Sequence, residues 1–191
     1  MIIDQIVSNS RASIEKEDLR ALLHLLEARP AQHALEIGTW RGGSAKVWKD
    51  FFALEDLVTI DIIEDPLLAR ENGITYLVGD SQDPKVFSQV SLSKYNFLFI
   101  DGDHNYESVK ADFELYSPLV KPSGVIVLHD VCHLADTVTV KPLSRRAAAT
   151  EPMAVPQMPR KWTCLKGVMM MGYRRDFLGG DQGFRPQAER R

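Results

Sequence analysis

Five short, continuously apolar runs recur along the chain at spacings that suit strands alternating with helices. They are His33 to Ile37 (HALEI), Leu57 to Ile60 (LVTI), Thr75 to Val78 (TYLV), Phe97 to Ile100 (FLFI) and Val125 to Leu128 (VIVL). A strand with one wet face alternates apolar and polar residues, whereas unbroken runs rich in β-branched residues suit strands covered on both faces, as in a parallel sheet. The intervening segments read as helices. Ile14 to Ala28 sets Leu19, Leu22, Leu23 and Leu26 on one face and is closed by Pro30. Ser44 to Phe52 follows a glycine turn, and the amphipathic stretch Tyr106 to Tyr116 is stopped by Ser117-Pro118. This alternation predicts an α/β, doubly wound open sheet, whose ligands bind beyond the carboxyl ends of the strands. After Asp130 the pattern weakens: Val138 to Thr150 reads as a helix broken at Pro142, Pro152 to Pro159 as a loop, and Lys161 to Tyr173 as one or two final strands.

Composition narrows the class. At 191 residues and 45% apolar, the chain has the size of one domain with a sizeable core. We divide it into a helical segment over 1–30, a core over 31–136 and a basic segment over 137–191. No apolar run approaches the roughly 20 residues of a membrane span, and Met1 to Arg11 lacks the basic start and apolar stretch of a secretory signal, so a cytoplasmic protein without a membrane partner is expected. Cys132 and Cys164 form no CxxC pair, which argues against a disulfide framework or a thiolate zinc site and for two small buried residues. Charge is lopsided: residues 1–140 carry 12 Lys+Arg against 22 Asp+Glu, and residues 141–191 carry 11 against 4. The basic residues are dispersed among Pro142, Pro152, Pro156 and Pro159 without interleaved aromatics, so the reading is a basic flap and no nucleic-acid partner.

Each strand ends in or runs into a carboxylate: Glu36, Asp61, Asp80, Asp101 and Asp130. Any one of them is readable as a helix N-cap, but five in register along one edge suit a ligand that is cationic, rich in hydroxyls or held through a metal. The first loop, Glu36 to Ser44 (EIGTWRGGS), lacks both GxGxxG spacing and the lysine of a phosphate-binding loop, where Ser44 stands instead. A carboxylate beside glycines suits a cofactor with a cationic, amino-acid-like end, of which S-adenosylmethionine is one. Asp61 is placed to accept both ribose hydroxyls, a feature that NAD shares. Gly79-Asp80-Ser81 offers an acceptor and a hydroxyl toward an adenine edge.

In order, LEIGTWRGGS (Leu35 to Ser44), VTIDI (Val58 to Ile62), GDSQD (Gly79 to Asp83) and the long stretch from Phe99 to Val131 resemble the class I S-adenosylmethionine-dependent methyltransferases, and more narrowly the methyltransferase family 24 group of sugar O-methyltransferases. The resemblance covers about Ile14 to His133. It implies a Rossmann-like, mostly parallel seven-stranded sheet and methyl transfer to a hydroxyl of a sugar or glycosylated small molecule. The cofactor residues are then Glu36, Gly38, Thr39, Trp40, Gly43, Ser44, Asp61, Ile62, Gly79, Asp80, Ser81 and Asp101. By the same resemblance Asp101, His129 and Asp130 hold a divalent cation, and His104 is the general base. Histidine at 129 departs from the family's carboxylate; magnesium prefers oxygen, so His129 either shifts preference toward manganese, iron or zinc or is no ligand. Trp40 either covers the cofactor or packs. His24, His33 and His133 read as structural or exposed, Trp48 and Trp162 as core, and Met169 to Met171 as a terminal strand. A homo-oligomer stays open, as do a non-catalytic ligand-binding domain and a nicotinamide-dependent oxidoreductase.

Overall fold

All five apolar runs are strands, and the parity of each strand decides what packs on either side of it. The computed structural model describes residues 2–64, 73–90 and 95–130 together with two later strands. Strands β1 (His33–Ile37), β2 (Asp56–Asp61), β3 (Ile74–Val78), β4 (Tyr95–Ile100) and β5 (Val120–His129) lie parallel in the order β3-β2-β1-β4-β5. β7 (Val168–Gly172) pairs antiparallel with β5, and β6 (Thr163–Leu165) antiparallel with β7. The expected α/β, mostly parallel sheet is observed. The readings for Val138 to Thr150, Pro152 to Pro159, Cys132, His133 and Trp162 lie outside the described residues.

Successive strand residues point to opposite faces. Ala34, Leu57, Phe97, Phe99, Val125 and Val127 meet helices α1 (Ile2–Asn9), α2 (Lys16–Leu26) and α3 (Gly43–Phe52), with the fully buried Trp48 ring 5.0 and 4.8 Å from Phe97 and Phe99. The residues between them, Leu35, Ile37, Val58, Ile60, Leu98, Ile100, Ile126 and Leu128, pack on Val86 of α4 (Pro84–Phe87) and on Val109 and Tyr116 of α5 (Tyr106–Tyr116). The helix read from leucine spacing over Ile14 to Ala28 is α2, and a further helix, α1, precedes it. Ser10 Oγ accepts the Ala12 N–H at 3.0 Å, a local turn that competes with helix continuation. α5 starts where expected because Asn105 caps it, accepting the Ser108 N–H at 3.0 Å. α4, only four residues long, had no periodicity to betray it.

Sheet order reverses at β1, whose neighbours β2 and β4 carry the chain to opposite sides, and this is where a doubly wound sheet opens a crevice. The backbone ladder runs one residue past the strands: Gly38 N–H donates to Ile60 O at 2.9 Å, Asp101 N–H to Ile37 O at 2.8 Å and Gly79 N–H to Asp61 O at 2.8 Å. Gly38 turns away with φ +87°, and a Cβ there would stand 2.2 Å from the Asp101 carbonyl oxygen. Gly38→Ala is therefore expected to lower the unfolding free energy by at least about 2 kcal/mol, from left-handed strain plus a backbone clash. Urea unfolding followed by circular dichroism measures it; wild-type stability would refute the contact.

Candidate active site

Beyond the carboxyl ends of the parallel strands lies a cavity of about 610 Å³, within the range of small-molecule sites. Gly38, Trp40, Asp61, Ile62, Gly79, Asp80, Ser81 and Asp101 line it, as do the second expected group, His104, His129 and Asp130. Glu36, Thr39, Gly43 and Ser44 do not. Glu36 is fully buried on the α3 face, where its carboxylate accepts Trp48 Nε1–H at 3.0 Å and the Thr59 hydroxyl at 2.8 Å and is also hydrogen-bonded by Ser44. The reason is parity: Glu36 shares a face with Ala34, so it enters the core one residue before the chain reaches the cavity. The edge row is thus four acids: Asp61, Asp80, Asp101 and Asp130. Burial, against the three hydrogen bonds and with a further push from the charge of Asp101, raises the Glu36 pKa to about 7.

Asp61 organises the glycine loop. Its Oδ2 accepts the N–H groups of Thr39 (2.8 Å) and Trp40 (2.6 Å), and its Oδ1 that of Ile63 (2.9 Å). With two bonds on Oδ2 and one on Oδ1, the carboxylate keeps a lone-pair site on Oδ1 for a hydroxyl in the cavity. Trp40 adopts φ 45°, which a bulky residue rarely does, and stands 51% exposed at the cavity mouth with the Arg41 guanidinium 4.9 Å from its ring centroid. The alternative of a packing role for Trp40 does not match this exposure.

Across the crevice, Asp101, His104 and Asp130 each offer one ligand atom, all within 4.8 Å of one another. His104 Nε2 is 3.3 Å from Asp101 and its Nδ1 3.5 Å from Asp130. His129 reaches the same carboxylates from below, its Nδ1 hydrogen-bonded to Asp101 at 2.9 Å and 3.4 Å from Asp130. Burial alone would lower the His129 pKa, but the hydrogen bond to Asp101 and the charges of Asp101 and Asp130 outweigh it and raise it. His129 thus acts as a donor that holds Asp101, while His104 lies against both acids. Asp130 itself has φ 54°, a left-handed turn on a non-glycine residue of the kind found where a side chain must be aimed. Two carboxylates this close, with imidazole nitrogens beside them, fit a divalent first-row metal.

Asp112 escaped the sequence reading. It lines the cavity yet is 2% exposed, with the Ser81 hydroxyl donating to its Oδ1 at 2.7 Å, and burial raises its pKa. The available signal was an acid on the apolar stripe of α5, three residues from Val109 and four from Tyr116.

Fold and site together define a methyltransferase domain. The family model of that description matches residues 35–131, and the chain belongs to this family. It is 34% identical over 118 residues to demethylmacrocin O-methyltransferase of Streptomyces fradiae, covering 56% of this chain and 30% of that protein. It is 29% identical over 118 residues to mycinamicin VI 2''-O-methyltransferase of Micromonospora griseorubida, covering 56% and 29%. The chain thus matches about three-tenths of the length of these curated relatives. Its fold is similar to that of the MycE methyltransferase solved with Mg and SAH, with TM-score 0.64, 17% identity, and 99% and 58% of the two chains covered.

The buried carboxylate generates a test. Because the folded pKa of Glu36 lies above its ordinary 4.5, folding favours the protonated form; stability is highest below pH 4.5 and falls as pH rises through about 7. Glu36→Gln keeps an acceptor for Trp48 and a partner for Thr59 without a charge. Its unfolding free energy relative to wild type should rise by roughly 3 kcal/mol between pH 4.5 and 7.5. Denaturant titrations across pH measure this, and a constant difference would mean that Glu36 stays ionised.

Proposed function

We propose that this chain is an S-adenosylmethionine-dependent O-methyltransferase domain that acts on a hydroxyl of a sugar or glycosylated small molecule with the help of a divalent cation. The observation that carries the reading is the juxtaposition, across one crevice, of hydroxyl-accepting acids (Asp61, Asp80) with the cluster of Asp101, His104 and Asp130. The names of the curated relatives support the acceptor class, and the neighbour solved with Mg and SAH supports the cofactor pair. The whole chain is read as one domain with its cofactor core over 31–136. Among the described residues no helix is long and apolar enough to cross a membrane.

When bound, S-adenosylmethionine supplies the methyl group, and a divalent cation supplies the Lewis acidity that brings an acceptor hydroxyl within reach of a weak base. Asp61 and Asp80 hold the nucleoside side, and Trp40 and Ile62 cover it. Asp101 and Asp130 hold the cation, and His129 fixes Asp101. The His104 imidazole, half-exposed at the mouth and oriented by Asp101, takes the hydroxyl proton. An aliphatic hydroxyl, with water near 15.7 as a rough stand-in, lies roughly 9 pKa units above an ordinary histidine, so proton loss must accompany methyl transfer or follow acidification of the hydroxyl.

His104→Ala should lower turnover roughly 10²- to 10⁴-fold while leaving affinity for S-adenosylhomocysteine and for manganese nearly unchanged. Calorimetry of both ligands beside a turnover assay reads this out. Loss of manganese binding would make His104 a ligand, and full turnover would remove it from the chemistry. Asp101→Asn with Asp130→Asn should abolish manganese binding, and full wild-type activity after exhaustive chelation would refute the metal.

A further inference from the structure

The wall of the cavity between β3 and α5 is built from three residues whose hydrogen bonds leave few alternatives. Ser81 lines the cavity; its hydroxyl donates to Asp112 Oδ1 at 2.7 Å, and its carbonyl accepts the Tyr116 hydroxyl at 2.6 Å. Tyr116 is fully buried and Asp112 nearly so. Gln82 also hydrogen-bonds Asp112 through its side chain. A serine hydroxyl has one proton and two lone pairs. With the proton given to a carboxylate, which accepts only, and the carbonyl already taken, the Ser81 side chain can offer a ligand nothing but an acceptor.

We propose that Asp112 is a positioning residue that sets the hydrogen-bond polarity of Ser81, so that this wall selects a ligand presenting a donor, the 6-amino group of adenine, over one presenting an acceptor, the 6-oxo group of hypoxanthine. The inference rests on the S-adenosyl reading of the cavity. Asp112 reaches the ligand through Ser81, and the buried Tyr116 braces the loop that carries Ser81. An asparagine at 112 reverses the logic: its amide can donate to Ser81 Oγ, which frees the serine proton to turn toward the cavity. A site that meets a ligand acceptor with an acceptor leaves both groups unpaired, which is the strongest form of discrimination a hydrogen bond provides.

The test measures dissociation constants of S-adenosylhomocysteine and of its inosine counterpart, S-inosylhomocysteine, by calorimetry on the wild-type chain, Asp112→Asn and Ser81→Ala. Wild type should favour the adenine ligand by roughly 10- to 100-fold. Asp112→Asn should bring the ratio to within about threefold of unity, chiefly by tightening the inosine ligand, a gain that a merely loosened fold would not produce. Ser81→Ala should narrow the ratio without that gain, and it tests the proposal if Asp112→Asn does not fold. An adenine preference unchanged in either folded variant would overturn the proposal. Failure of the wild type to bind S-adenosylhomocysteine would instead overturn the cofactor reading on which it rests.

Discussion

The arrangement of the cavity depends on how closely two backbones approach where β1 and β4 part. The chain leaving β1 at Gly38 lies against the Asp101 peptide with no room for a side chain, while the Asp101 N–H closes the ladder onto Ile37. That contact fixes the glycine loop and the first acid of the Asp101–His104–Asp130 cluster to one another. Asp61 then binds the same loop through two backbone N–H groups from the other side. The two walls of the cavity are thereby held to one another by main-chain geometry.

Charge is the second organising constraint. Two carboxylates with ligand atoms within 4.8 Å repel by roughly 3 kcal/mol at an effective dielectric constant of 20. His129, fixed beneath Asp101 and Asp130, relieves part of this, and His104 lies across both acids from the open side. A carboxylate at position 129 would add one more negative charge in the same space, where the histidine instead donates to Asp101. Glu36, enclosed among Trp48, Thr59 and Ser44, is kept out of this cluster by the sheet itself.

What the sequence showed of this molecule follows the range of the forces involved. Unbroken apolar runs and a capped, proline-stopped helix are local signals, so β1 is found residue for residue and α5 likewise. Strand parity at the end of a run is less local: Glu36 and Asp61 look alike as acids near strand ends, and only the register of Ala34 and Ile37 against the helices sends one inward. Asp112 depends on Ser81, 31 positions away, and an acid on a helix face carries no mark of its partner. The place of His104 against both Asp101 and Asp130 is of the same kind, because it joins the end of β4 to the turn after β5.

The antiparallel pairing of β7 on β5 places Val168 opposite His129, the last residue before the turn at Asp130. β5 is thus paired on both edges, with β4 and with β7, so the turn that aims Asp130 starts from a strand end held on either side.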